Sequence, residues 1–103
     1  VISTASSGNV ELVALTSGQT IYLCDFTIMA GGTVGVQLIY GTGTACATGE
    51  TNMTGVMPLV VNTGWPHNYG GRLKTAEANA FCIELSGAVQ VDGVVTYRKM
   101  VTF

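Results

Sequence analysis

The sequence predicts an all-β fold, an antiparallel β-sandwich of jelly-roll type with about seven to eight strands, in a single domain that spans residues 1–103. Apolar residues recur with a period of two along most of the chain. Turn signals rich in Gly separate these runs, and no segment keeps a helical period for as long as about ten residues. A chain of 103 residues has room for one hydrophobic core.

The N-terminal half contains three predicted strands, of which "VELVAL" at 10–15 is the first. In the second, "TIYLCDFTIMA" at 20–30, alternation divides the side chains between two faces. One face would hold Tyr22, Cys24, Phe26 and Ile28, and the other, wetter face would hold Ile21, Leu23, Asp25, Thr27 and Met29. Gly31-Gly32 connects this run to "TVGVQLIY" at 33–40, and the combination predicts a β-hairpin.

The C-terminal half supplies the remaining strands. Pro58 in "VMPLVV" (56–61) favours an edge position or a bulge. Short runs follow at 71–76 and 79–86. The last segment, 88–103, predicts either one long strand broken near Asp92-Gly93 or two strands joined by a tight turn.

The glycines of "YGTGTAC" (40–46) raise the question of a phosphate-binding loop. Such a loop needs backbone N–H groups at the start of a helix, and the following "ATGETNMTG" has no periodic apolar face. Cys46 occupies the place of the third glycine of the dinucleotide-binding pattern. We therefore expect Gly41 and Gly43 to relieve steric crowding where the strand curls into a long connection.

The charged residues argue against nucleic acid or a membrane as partner. The chain has four basic and six acidic residues, for a net charge of −2, which is too few cations to neutralise many phosphates. No apolar run reaches the roughly 18–20 residues that a membrane helix needs.

Three cysteines, Cys24, Cys46 and Cys82, leave at least one thiol unpaired in the monomer. Their spacing lacks the paired C-x-x-C pattern of a zinc site. The composition favours reduced, largely buried thiols in a protein that folds in a cytoplasm. The alternative is a single disulfide, which could form in three ways.

No arrangement predicts catalysis. His67 is the only histidine, and no nucleophile motif surrounds the serines or cysteines. The six carboxylates are scattered along the chain. We expect no catalytic, metal-binding or cofactor-binding residue.

The segment "TGWPHNYGG" (63–71) is predicted to be a surface loop. It carries two aromatic and two hydrogen-bonding side chains, Trp65, His67, Asn68 and Tyr69. Trp65 could fold back as a lid or contact another subunit, the loop could bind a different protein, or it could bind a carbohydrate receptor.

The surface is unusually poor in charge. Only 10% of the residues are charged, whereas about a quarter is typical of a soluble domain. The outer faces would still carry apolar residues, and two adjacent cations lie near the C-terminus. The candidate subunit or capsid contacts are therefore Ile21, Leu23, Met29, Ile39, Arg98 and Lys99.

Two stretches, "IYLCDFTIMAGGTVGVQLIYGTGTACATGETNMTG" and "KTAEANAFCIELSGAVQVDGVVTYRKM", resemble small β-sandwich virion proteins of tailed bacteriophages, of the capsid decoration (cement) or head-fibre type. The resemblance covers roughly residues 20–55 and 74–98. The positions that carry it are Cys24, Gly41, Gly43, Cys46, Gly49, Cys82, Gly93 and Tyr97. Asp25 departs from the usual glycine, and 62–73 has no counterpart.

The resemblance implies a structural protein of the virion, which folds in the host cytoplasm and then binds the capsid surface. Its partners would be the major capsid protein and copies of itself, with a trimer as the expected oligomer. The segments 1–9 and 98–103 would act as extended arms that order on a neighbour. The alternative is a head- or tail-fibre adhesin module that binds host glycans through the 63–71 loop.

Overall fold

The computed structural model describes residues 2–5, 7–61 and 64–101, with the side chains of residues 3 and 65–72 outside the description. The protein is all-β and antiparallel. Within the described residues the strands are β1 (Ile2–Thr4), β2 (Gly8–Val13), β3 (Gln19–Ala30), β4 (Val34–Thr42), β5 (Thr48–Asn52), β6 (Met57–Leu59), β7 (Gly64–Lys74), β8 (Ala80–Leu85) and β9 (Val91–Val101). The helical content of these ranges is one short 3-10 turn at Thr44–Cys46, and no helix there is long and apolar enough to cross a membrane.

The strands form two sheets with a nested order of pairing. The first sheet has the order β1-β9-β3-β7, and the second has the order β2-β8-β4-β5, with β6 also paired to β4. Thus β1 pairs with β9, β2 with β8, β3 with β7, and β4 with β6. The chain therefore resembles one long hairpin folded across two sheets.

The hydrophobic core lies between the two sheets. Phe26 of β3 and Phe81 of β8 meet edge to face, with ring centroids 6.2 Å apart. Aliphatic side chains of both sheets surround this aromatic pair, including Ile28, Leu38 and Ile83. Burial of these side chains is the main source of stability.

The predicted hairpin between 20–30 and 33–40 is wrong. Strand β3 belongs to the first sheet and β4 to the second, so Gly31 and Gly32 carry the chain across the core instead of around a hairpin turn. The Gly31 N–H donates to the Gln90 carbonyl at 2.8 Å, and a Cβ on Gly32 would lie 3.1 Å from a methyl carbon of Val89. The two glycines therefore pass close to the segment that precedes β9.

A β-bulge at Cys24 reverses the faces of β3. Leu23 pairs with Tyr97 and Asp25 pairs with Thr96, so β3 contains one residue more than β9 at this point. The assignment of Ile21 and Leu23 to an outer face is therefore wrong, since both are buried in the core. Beyond the bulge the predicted faces are correct: Phe26 and Ile28 are buried, and Met29 is exposed.

The outer face of the second sheet has a small core of its own. Ile39, Cys46, Ala80 and Cys82 form a second buried cluster beneath the 3-10 turn. A disulfide joins Cys46 to Cys82, whereas Cys24 is free and partly buried. The expectation of reduced thiols is thus wrong for this pair, and Ile39 is not an outer contact, because the turn covers it.

The steric explanation for the 40–46 glycines is confirmed. A Cβ on Gly41 would lie 2.7 Å from the Cys46 carbonyl oxygen, and Gly43 has a φ of 74°, which favours glycine. These glycines let the turn fold closely over the sheet. The disulfide then fastens the same turn to β8.

Three segments expected to be irregular lie in strands. Residues 64–71 of the predicted loop belong to β7, which pairs with β3. Residues 2–4 and 8–9 of the first expected arm lie in β1 and β2, and residues 98–101 of the second lie in β9. Residues 2–4, 8–9 and 98–101 are therefore paired within the chain, and β9 runs through Asp92-Gly93 without a break.

Candidate interaction surfaces

The outer face of the first sheet carries exposed apolar side chains on two adjacent strands. On this side of the sheet Asp25, Thr27 and Met29 of β3 pair with Thr96, Val94 and Asp92 of β9, respectively. Met29 is 56% exposed, and Val94 and Met100 are each 48% exposed. Met29 and Val94 are diagonal neighbours in this register, so a long side chain can contact both. We call this surface, formed by residues 25, 27, 29, 92, 94, 96 and 100, the β3–β9 face.

A second exposed apolar group flanks β6. Val56, Val60 and Val61 are each more than half exposed. Strand β6 has only three residues, and Pro58 lies at its centre, as the sequence predicted for an edge strand. These valines are therefore a smaller, less regular surface than the β3–β9 face.

The outer face of the second sheet is acidic. Asn9 of β2 donates to a carboxylate oxygen of Glu50 of β5, and Glu50 in turn lies beside Glu84 of β8. Partial burial raises the pKa of Glu84, and the charge of Glu50 and a hydrogen bond between the two carboxyl groups raise it further. Folding therefore brings two carboxyl groups together, and their repulsion lowers the stability of the folded protein when both are ionised.

The basic residues lie on the first sheet only, and this sheet also carries Asp25 of β3 and Asp92 of β9. All four basic residues of the sequence, Arg72, Lys74, Arg98 and Lys99, belong to β7 and β9 of the first sheet. Glu11, Glu50 and Glu84 belong to strands of the second sheet. The β3–β9 face thus lies on the sheet that carries the cations, although the face itself includes the carboxylates of Asp25 and Asp92. The acidic face of the second sheet lies on the opposite side of the molecule.

On the side away from β3, the described partners of β9 are confined to its first three residues. Strand β1 pairs with Val91, Asp92 and Gly93 only. Among the described residues no strand pairs with 94–101 on that side. Tyr97 and Val101, which belong to this segment, are 45% and 57% exposed.

The residues expected to make contacts are therefore separated by the fold. Met29 and Arg98 are exposed, and Lys99 is half-buried, with its Nζ donating to Thr16 Oγ1 at 3.0 Å. Ile21, Leu23 and Ile39 are internal. Val94 and Met100 were missed, because alternation along 88–103 does not reveal which side of the strand is covered.

The candidate glycan contacts, Trp65, His67, Asn68 and Tyr69, have side chains outside the described part of the structure. Their backbone lies in β7, where the Cα atoms of Trp65 and His67 pair with those of Ile28 and Phe26. The register then passes from Asn68 opposite Asp25 to Leu73 opposite Leu23, so 69–72 lie within an irregularity of this edge strand.

No cluster of three or more His, Cys, Asp or Glu side chains suited to a metal ion occurs in the described part of the chain. The exposed side chains of β3 and β9 are apolar groups, hydroxyl groups and a few charged groups. Side chains of these kinds can contact a protein partner. The arrangement can bind a surface through burial and hydrogen bonds.

Comparison with known proteins finds no relative: no family model matches the chain, and no curated protein and no solved structure matches it.

Proposed function

We propose that this chain is a structural protein of a tailed bacteriophage virion, which decorates and stabilises the capsid shell through protein–protein contacts. The capsid setting comes from the sequence resemblance around the Cys24, Cys46 and Cys82 positions. The structural observation that supports a contact role is the β3–β9 face, where Met29, Val94 and Met100 are about half exposed on adjacent strands.

The chemistry of this face favours a protein partner. Single exposed apolar residues are ordinary, but Met29 and Val94 are neighbours on the outer side of the sheet. Thr27, Thr96, Asp25 and Asp92 surround them with polar groups. Apolar and methionine side chains with a polar surround are typical of the centre of a protein interface. The charge-poor sequence fits a protein that functions within an assembly, because such a protein has less need of charge for solubility.

We further propose that the two sheets form a jelly roll, as the sequence predicted. The nested pairing of β1 with β9, β2 with β8, β3 with β7 and β4 with β6 supports this topology. With β5 and β6 counted together as partners of β4, eight strand positions fill two four-stranded sheets.

The proposed partners are the major capsid protein and further copies of this chain, and the proposed location is the capsid surface. Folding would take place in the host cytoplasm, where disulfides are rare. In this proposal the Cys46–Cys82 bond closes after the particle reaches an oxidising medium and then fastens the 3-10 turn to β8.

Co-sedimentation with expanded, empty capsids of the phage that encodes the chain tests this proposal. Wild-type protein should sediment with capsids, and Met29→Lys should lose most of the binding, because it places a charge within the buried surface. Leu15→Lys is the matched control, since Leu15 is also an exposed apolar residue but lies on the connection between β2 and β3. Equal effects of the two substitutions would contradict the proposed face.

Binding to host polysaccharide instead of capsids would favour the adhesin alternative. In that case Trp65→Ala should abolish binding to polysaccharide, and Met29→Lys should leave it intact. The two outcomes separate the functions even when the host receptor itself is unidentified.

A further inference from the structure

A short segment between β4 and β5 crosses the outer face of the second sheet. The 3-10 turn at Thr44–Cys46 lies against β2, β4 and β8, and the chain then returns to pair as β5 beside β4. We call residues 43–50 the strap. It covers Ile39 of β4 and Ala80 and Cys82 of β8, which are fully buried although they lie outside the main core.

The strap contributes few apolar contacts to the protein. Six of its eight residues are exposed, and Cys46 is the one that is buried. Two of its hydrogen bonds are local: the Ala47 N–H donates to the Thr44 carbonyl at 3.1 Å, and Thr42 Oγ1 donates to the Thr48 carbonyl at 3.3 Å. A segment of this kind opens at a lower free-energy cost than the core strands do.

The backbone of the closed strap also favours opening. Ala45 and Cys46 have φ angles of 50° and 59°, in the left-handed region that is costly for residues with a Cβ. Both residues can leave this region when the strap detaches from the sheet. The closed form therefore depends on the attachments between the strap and the sheet.

Two described attachments hold the strap against the second sheet. The disulfide joins Cys46 to Cys82, whose Cα atoms lie 6.4 Å apart. At the far end of the strap, Glu50 accepts a hydrogen bond from the side-chain amide of Asn9 and contacts the carboxyl group of Glu84. Because the Asn9–Glu50 hydrogen bond is exposed to water, the disulfide is the stronger attachment.

We propose that the strap is a redox-controlled cover: reduction of the Cys46–Cys82 bond releases residues 43–50 from the second sheet and uncovers Ile39 and Ala80, while the core between the two sheets stays folded. The core can persist because its side chains lie on the other side of β4 and β8. This device is independent of the proposed capsid role, which places the contact on the first sheet.

A small dithiol is the class of reductant for this step. One of its thiolates attacks a sulfur of the protein disulfide, so that the S–S bond breaks, a mixed disulfide forms and the released cysteine takes up a proton. The second thiolate displaces the other cysteine and closes the dithiol into a cyclic disulfide. Two electrons and two protons thus pass from the dithiol to the protein, and the reverse reaction forms the bond again.

Reduction leaves a weak substitute for the lost bond. The Sγ atom of Cys46 lies 3.5 Å from the Ala80 carbonyl oxygen, and a thiol at this position is a weak hydrogen-bond donor. We therefore expect the reduced strap to stay open for much of the time.

Alkylation of single thiols by iodoacetamide under native conditions tests this proposal. The first variant, Cys24→Ser/Cys46→Ala, lacks the bond and keeps Cys82 as its only thiol. The second, Cys24→Ser/Cys46→Ala/Cys82→Ala/Val36→Cys, carries its only thiol in the main core, since Val36 is fully buried there. Mass spectrometry gives the alkylation rate of each thiol in buffer and in concentrated urea.

The two thiols should behave differently. Cys82 should react in buffer within about tenfold of its rate in urea, because the strap opens readily without the bond. The thiol of the Val36→Cys variant should react at least about a hundredfold more slowly in buffer than in urea, because it is reached only when the core unfolds.

The attachment at the far end gives an independent prediction for the oxidised protein. Both bonded cysteines are fully buried, so a dithiol reaches them only after the strap loosens. Asn9→Ala removes the donor to Glu50 and should speed reduction by dithiothreitol about fivefold, the effect of one exposed hydrogen bond. Gln90→Ala is the matched control: it removes a similar amide–carboxylate hydrogen bond, to Asp92 on the first sheet, and should leave the rate unchanged.

Protection of Cys82 as strong as that of the core thiol would overturn the proposal, because the strap would then stay closed without the bond. Rapid alkylation of both thiols would also overturn it, since loss of the bond would then unfold the core. Equal reduction rates for Asn9→Ala and Gln90→Ala would contradict the attachment at the far end. None of these results depends on capsid binding, so the two proposals fail separately.

Discussion

Leu23 and Phe26 both lie in the core, although they are three positions apart on one strand and would occupy opposite faces of a regular strand. The bulge at Cys24 accounts for this, because the extra residue reverses the alternation. It lets one long strand bury side chains along its whole length. It also leaves Thr27 and Met29 on the outer face beside Val94.

The reversal of faces predicts a sharp contrast between two positions on β3. Leu23→Ala should lower the free energy of unfolding by about 2–5 kcal/mol, because it removes a buried side chain from the core. Thr27→Ala should lower it by no more than about 1 kcal/mol, since Thr27 is exposed and only the strand preference of its β-branched side chain is lost. Urea titration followed by circular dichroism measures both. Similar costs for the two variants would contradict the bulge.

Gly93 lies where β9 is paired on both sides, opposite Ile2 of β1 and Ile28 of β3. A Cβ on Gly93 would overlap the Thr27 carbonyl oxygen and lie 2.8 Å from the Ile28 Cα. Both are backbone atoms of a central strand and cannot move cheaply. Gly93→Ala should therefore destabilise the protein by about 1–3 kcal/mol or more.

Gly87→Ala is the control for this substitution. Nothing lies within 4 Å of a Cβ at Gly87, and its φ is not positive. This variant should be neutral or slightly stabilising, because alanine reduces the conformational entropy of the unfolded chain. If thermal unfolding gave both variants the same midpoint, the close approach of β9 and β3 would be refuted.

The disulfide between Cys46 and Cys82 joins residues 36 positions apart. A loop of this size predicts a contribution of roughly 3–4 kcal/mol, from restriction of the unfolded chain. A reducing agent should therefore shift the urea midpoint of the wild type to lower concentration. It should not shift the midpoint of Cys46→Ser/Cys82→Ser, which lacks the bond. Cys24→Ser should respond to the reducing agent as the wild type does, and its failure to respond would exclude this pairing.

The contact between Glu84 and Glu50 predicts a pH dependence of stability. The pKa of Glu84 is raised above its ordinary value of 4.5 by partial burial and then by Glu50, so the folded protein binds this proton more tightly than the unfolded chain does. The stabilisation that comes from this tighter proton binding is complete when the pH lies below the pKa of Glu84 in the unfolded chain. It is lost as the pH rises through the pKa of Glu84 in the folded protein. Stability should fall over this interval as Glu84 ionises.

Glu84→Gln should remove this dependence, because glutamine resembles the protonated acid. The variant should melt at a higher temperature than the wild type at pH 7, and the difference should disappear at acidic pH. Glu77→Gln, an exposed residue on the connection between β7 and β8, makes the same change in net charge and serves as the control. A wild type and a Glu84→Gln variant with parallel stability curves across pH would refute the contact.

The sequence predicted the strand class well where apolar residues alternate. The strands at 20–30, 33–40 and 79–86 were all found within a few residues, because a period of two reflects a local property of the backbone. Their partners were not predictable in the same way. Gly31-Gly32 resembles a hairpin turn locally. Whether β3 and β4 pair in one sheet or pack against each other from two sheets depends on their partners β7, β8 and β9, which lie far away in the sequence.

The missed strands lack that alternation. All residues of β5 are exposed, so it carries no apolar pattern, and β7 contains Pro66 and two adjacent glycines. Both are strands because an adjacent strand offers backbone partners. The bulge at Cys24 likewise has no local signal, and this explains why Ile21 and Leu23 were placed on the wrong face, whereas Met29 was placed correctly.

The most direct test of the proposed function is electron microscopy of particles that carry this chain, at a resolution that identifies strands. Our account predicts many copies over the shell, with the β3–β9 face, including Met29 and Val94, buried against the capsid protein. A few copies at a vertex or on the tail, with that face in solvent, would contradict it.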